Sequence, residues 1–204
     1  MKTYDLLPEF AVAHGDVLTA IIREKLEDHL EKNKDNLQAL TRLSIYASVH
    51  GLVWDEILKN AEILSDPEIF IITRRNEQQK FMVYKHKLVI ALSKTGDDGK
   101  VKVSQHSQFA RDFDGQENLS FQELDEDQVH AYIYYSTDST GYEITEVGIQ
   151  CPTGNGVHFT KVPFYGDIGN QSLMFPCSQD NSPYEELQKL KAKFKKKKTG
   201  TSHP

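Results

Sequence analysis

Between Leu64 and Ile69 the chain changes its apolar rhythm, from steps of three and four residues to a β-branched run, with Pro67 at the break. Steps of three and four put side chains on one face of a helix, whereas a short β-branched run suits a strand, so helices are expected before the break and sheet after it. From Val17, the residues Leu18, Ile21, Ile22, Leu26, His29 and Leu30 predict one amphipathic helix with Asp16 as its N-cap. Leu37, Leu40, Leu43, Ala47 and His50 predict a second, ending at Gly51, where a residue tolerant of positive φ suits a helix C-terminus. Trp54, Ile57, Leu58, Ala61 and Leu64 predict a short third helix that Pro67 keeps from extending.

Beyond the break, residues 69–73 and 81–84 flank a polar stretch and predict an antiparallel hairpin turning near Asn76. Residues 88–92 predict a further strand, and the Thr95-Gly96-Asp97-Asp98-Gly99 turn predicts a return over 100–104. Residues 105–127 are polar but carry Phe109, Phe113, Leu119, Phe121 and Leu124, the mark of a packed, partly helical connection. Residues 129–135 and 142–150 predict a second hairpin, with 157–162 as an edge strand. Ser182, Pro183 and Glu185 form a capping box with proline at the first helical position, which opens a last helix striped by Leu187, Leu190 and Phe194.

Helices followed by strands, not alternating with them, predict an α+β fold with a largely antiparallel sheet and argue against a doubly wound one. The expected domain is 1–181, helical over 16–64 and mainly β over 69–162, with a lysine-rich amphipathic helix and frayed end over 182–204. Charged residues at 26% and hydrophobic ones at 38% suit a chain with a core and exclude a collagen-like or wholly disordered one. The longest aliphatic run, residues 88–92, falls far short of the roughly 20 residues that span a bilayer. With Asp5, Pro8 and Glu9 in place of a basic and apolar leader, and Cys151 and Cys177 far apart, the sequence predicts a cytoplasmic chain.

Charge is segregated. All 30 acidic residues lie at or before Glu186, and seven of the 24 basic ones are Lys189, Lys191, Lys193, Lys195, Lys196, Lys197 and Lys198. The other 17 basic residues leave everything before the tail at −13, against +7 in the tail. An acidic body repels phosphate backbones, so any affinity for nucleic acid or another anionic surface is expected in those seven lysines, unless their helix docks on the body itself.

Three clusters have residue types suited to chemistry. Asp66 and Glu68, with Gln79-Lys80 downstream, resemble superficially the spaced carboxylate and lysine set of metal-dependent nucleases. A hairpin turning at 76–77 pairs residues that sum to 153, which sets Lys80 opposite Thr73, roughly 20 Å along the strands from Asp66. The same arithmetic brings Asp66 toward residues 85–87, making Asp66, Glu68 and His86 the candidate acid/base or metal group. Asp112 and Asp114, with His106 nearby, are the second candidate for a divalent ion, although an EF-hand frame counted from Asp112 needs glycine where Glu117 stands. His130, Tyr132 and Tyr134 share one face of a predicted strand and could stack bases if that face were open.

No dinucleotide glycine motif, P-loop, HExxH, GxSxG or paired CxxC occurs. The leading expectation is a non-enzymatic interaction or regulatory protein without a cofactor, its acidic body meeting a protein partner and its lysine helix an anionic surface. The alternative is a small metal-dependent hydrolase, most plausibly a nuclease, using a divalent cation.

Overall fold

The computed structural model describes residues 5–74, 79–96, 99–101, 108–117, 119, 121, 123–153 and 158–164. Helix α1 (Leu6–Lys32) is followed by a 3-10 segment (Lys34–Ala39), α2 (Arg42–Ile57) and the single turn α3 (Ala61–Leu64). Strands β1 (Ile69–Arg74), β2 (Gln79–Tyr84) and β3 (Leu88–Lys94) come next, then α4 (Gln108–Asp114), β4 (Val129–Thr137), β5 (Ile144–Thr153) and β6 (His158–Pro163). The strands form one sheet in sequence order, antiparallel throughout except for the parallel β3–β4 pair. The fold is α+β with a mainly antiparallel sheet.

Alternation along the strands gives the sheet two apolar faces. Met82, Tyr84, Leu88, Ile90, Ala131, Ile133 and Ile149 face α1, α2 and α3, where Leu18, Ile22, Val49, Val53 and Ile57 complete the main core. Phe81, Val83 and Val89 face the opposite way and are covered by Phe113 of α4 and by Leu119. The first hairpin has the predicted register, Ile69 opposite Tyr84 and Thr73 opposite Lys80. Burial on both faces explains why residues 88–92 read as an unbroken apolar run: β3 is a central strand.

The helices depart from expectation at both glycines. α1 begins at Leu6, so Asp16 is a mid-helix residue and no N-cap. Pro8 is tolerated because it stands in the first turn, where a backbone N–H has no intrahelical acceptor. Gly15 leaves room for a ring: a Cβ there would lie 3.0 Å from Phe164. Likewise α2 runs unbroken through Gly51, which is exposed with nothing within 4 Å of an added Cβ, because Val49, Val53, Trp54 and Ile57 anchor the opposite side. The true caps are Thr41, accepting from the Ser44 N–H at 3.1 Å, and Asn60, accepting from the Ile63 N–H at 3.1 Å.

Of the predicted return strand over 100–104, the described residues hold one bridge, Thr95 to Val101, and residues 102–107 lie outside the described residues. A parallel crossover through α4 then joins β3 to β4. The capping box at Ser182, the lysine-rich helix, His106 and Cys177 also lie outside the described residues. No helix among the described residues is long and apolar enough to cross a membrane.

Candidate functional site

The turn after α3 and the end of the first hairpin bring Asp66 and Glu68 to one end of the sheet. Asp66 meets a histidine, but that histidine is His14 of α1: Nε2 lies 3.2 Å from the Asp66 Oδ2. Phe10 and Tyr84 wall the imidazole at ring distances of 5.2 and 5.9 Å. Burial pushes the His14 pKa below its ordinary value, more than Asp66 and Glu62 raise it, so a neutral ring faces the carboxylate. Beside it the Lys85 ammonium sits 2.6 Å from Glu9 and 3.6 Å from Glu68, while the Tyr84 hydroxyl donates to Glu9 at 3.2 Å. Ionisable groups from α1, β2 and the turns beside them thus close on one another.

His86 does not join them. It occupies the β2–β3 turn with φ of 57°, next to Lys85 with φ of 54°, as the two central residues of a type I′ turn require. Its Nδ1 lies 2.8 Å from the Glu123 carbonyl and its ring 5.0 Å from that of Phe70, on the far side of the sheet from His14.

The second candidate pair is also divided. Asp114 is buried and accepts a 2.6 Å hydrogen bond from the Tyr132 hydroxyl, and its Oδ2 has no partner. Desolvation pushes its pKa up to about 6 against the lowering effect of Tyr132. Asp112 remains half-buried, its backbone carbonyl accepting from the Glu117 N–H at 2.8 Å. Among the described residues no group of three His, Cys, Asp or Glu is placed to hold a metal ion.

Nor is the His130, Tyr132, Tyr134 face an open stacking platform. His130 is fully buried, stacked on Phe113 at 4.7 Å, and its Nδ1 donates to the Phe113 carbonyl at 3.0 Å. Burial lowers its pKa to about 4. Gln116 binds both backbone groups of His130 at 2.8 Å, which fastens the loop after α4 across this face.

A groove opens elsewhere, at the carboxyl ends of the parallel pair β3 and β4, beneath the start of α2. Its volume is about 810 Å³, and Leu43, Tyr46, Thr95, Ser136 and Ser139 are among its walls. The Thr95 and Ser136 hydroxyls are bonded to each other at 2.8 Å. Asp138, at its rim, accepts from the backbone N–H groups of Thr140, Gly141, Tyr142 and Glu143 and is held well below the usual carboxylate range by these bonds and by the Thr140 hydroxyl. It organises the β4–β5 turn. Leu43 stands 74% exposed at the groove's edge.

From Leu43 to Trp54, α2 carries no Lys, Arg, Asp or Glu, and its outward positions are Leu43, Ser44, Ala47, Ser48 and Gly51, all exposed. By contrast, α1 exposes Asp16, Glu24, Glu27 and Glu31. An uncharged helical strip therefore lies beside the groove on a body that is otherwise acidic.

The sequence could have placed His14, because Leu7, Phe10, Ala11, His14 and Leu18 continue the helical steps backward from Val17. No local signal marks the groove, which three separate segments build. In comparison with known proteins, no family model, no curated protein and no solved structure matches this chain.

Proposed function

We propose that this chain is a non-enzymatic interaction or regulatory protein, and that the outer strip of α2 with the adjoining groove is where a protein partner binds. The observation that carries this reading is the contrast between an exposed, uncharged strip and the engaged state of Asp66, Glu68, His86 and Asp114. Asp66 and Glu68 face His14 and Lys85, and Asp114 accepts from Tyr132. A small apolar centre with an acidic surround suits a partner with a basic rim around an apolar contact, since complementary charge speeds encounter and excludes wrong partners. In the same reading the seven tail lysines contact an anionic surface.

The test is quantitative capture of binding proteins from the cells that make the chain, using wild type, Leu43→Glu and Glu27→Gln. A partner held by wild type and Glu27→Gln, and reduced about tenfold by Leu43→Glu, supports the α2 surface, since tenfold corresponds to about 1.4 kcal/mol. Equal capture by all three contradicts it.

One observation favours the second reading, a metal-dependent hydrolase or nuclease: the 3.2 Å contact of buried His14 with half-buried Asp66. That reading requires a divalent ion bound stoichiometrically and released by Asp66→Asn, together with turnover abolished by the same change.

A further inference from the structure

β1 is an outer strand of the sheet, with β2 on one side and no strand of the described residues on the other. The Lys85 N–H donates to the Glu68 carbonyl at 2.8 Å, so the ladder to β2 uses the backbone of residues 68, 70, 72 and 74. The backbone groups of Ile71 and Thr73 therefore point away from β2, as does the carbonyl of Ile69, whose N–H already binds Asp66.

The side chains of this edge are unusual for a strand with a described neighbour on one side alone. Residues 69–73 read Ile-Phe-Ile-Ile-Thr, with no charge, proline or glycine, although exposed edges are ordinarily blunted by such residues. Phe70 and Ile72 pack on the second core and Ile71 on the first, each only partly buried. Both faces of the strand thus end in apolar side chains that a further strand would extend.

Register identifies what that strand could be. If a second β1 pairs with the first antiparallel about Ile71, partners sum to 142. Ile71 meets Ile71 in a hydrogen-bonded pair, which is the pairing its outward backbone groups require. Each Thr73 N–H meets the opposite Ile69 carbonyl, and Phe70 meets Ile72, an aromatic and β-branched pair of the kind that stabilises sheets. In this register Glu68 meets Arg74 at both ends, an opposite-charge pair repeated by symmetry. A shift of two residues toward the amino end sets Glu68 opposite Ile72 in place of Arg74. The same short segment thus supplies backbone polarity, apolar pairing and charge complementarity for itself.

We propose that the chain forms a twofold dimer by antiparallel pairing of β1 with β1 of a second copy, Ile71 opposite Ile71 and Glu68 opposite Arg74, which continues one sheet through both chains. A twofold interface joins the same patch to itself, as this register does.

Sedimentation velocity on the full chain tests it. Wild type is expected to dimerise with Kd on the order of micromolar, as small interfaces do. Glu68→Arg, which opposes two arginines at each end, should weaken the dimer about tenfold or more, and adding Arg74→Glu to it should restore association. Thr73→Pro removes an outward N–H without breaking the β1–β2 ladder and should give a monomer with an unchanged far-ultraviolet spectrum. If the double variant does not fold, Thr73→Pro alone decides. A wild type that stays monomeric overturns the proposal, as does a dimer insensitive to Thr73→Pro or a folded double variant that fails to recover.

Discussion

Replacing Asp114 by asparagine should stabilise the protein at alkaline pH and destabilise it at acid pH. The carboxyl is pushed up to about 6 from an ordinary 3.8, so the folded state keeps a proton that the unfolded state releases across that window. At 1.36 kcal/mol per pKa unit, its ionisation costs about 3 kcal/mol of stability, fully present above pH 6 and absent below about 4. The substituted side chain carries no charge and can still accept from the Tyr132 hydroxyl through its amide oxygen. Its amide nitrogen would occupy the buried place of the unpartnered Oδ2, at a cost of about 1 kcal/mol or more. The net expectation is a gain of about 1 to 2 kcal/mol at pH 8 and a loss of about 1 kcal/mol at pH 4.

His130 acts in the opposite sense. Its pKa is lowered to about 4 from 6.5, so it contributes stability that is complete above 6.5 and lost as pH falls toward 4. In wild type the rise from His130 and the fall from Asp114 overlap and largely cancel. Asp114→Asn removes the fall, so the variant should gain about 3 kcal/mol more than wild type between pH 4 and 7. Urea unfolding at half-unit pH steps reads this directly. Parallel profiles for variant and wild type would refute the account of the second face.

Three further outcomes follow from particular contacts. Gly148→Ala places a Cβ 2.7 Å from the Val162 carbonyl and 2.8 Å from Tyr134, so the urea midpoint should fall by the equivalent of about 2 to 3 kcal/mol. Asp66→Asn removes the main influence that raises the His14 pKa, so the imidazole titration followed by nuclear magnetic resonance should move to lower pH, and an upward move would contradict the 3.2 Å contact. If all seven tail lysines engage DNA phosphates, the log–log slope of affinity against salt is about −6, and a chain ending at Asn181 should lose that binding; equal binding by both chains would place the anion contact elsewhere.

The hairpin register was legible because two β-branched runs around a polar stretch leave one pairing that buries both apolar sets, and the sum of 153 held residue by residue. Helix limits were less legible because they depend on contacts distant in sequence. Gly15 looks like a boundary until Phe164 is seen against it, and Gly51 until the buried side of α2 is seen to hold the helix through it. The direction of β4 beside β3 had no local signature, since the crossover over 95–128 could have returned a strand either way. At the candidate sites, carboxylates at 66 and 68 were found by type, but their partners were set by the packing of α1, which brings His14 and Glu9 over the hairpin end. The groove edge at Leu43 could not be found from spacing, because an exposed leucine at a helical step reads as core until the helix orientation is known.

A photoactivatable cross-linking residue placed at Ala47, on the uncharged strip of α2, and at Glu27, on the acidic face of α1, locates the partner surface in the cells that make the protein. A discrete adduct with a second protein from position 47, absent from position 27, is the predicted result. Adducts that are the same from both positions, or none from position 47, would contradict α2 as the partner surface.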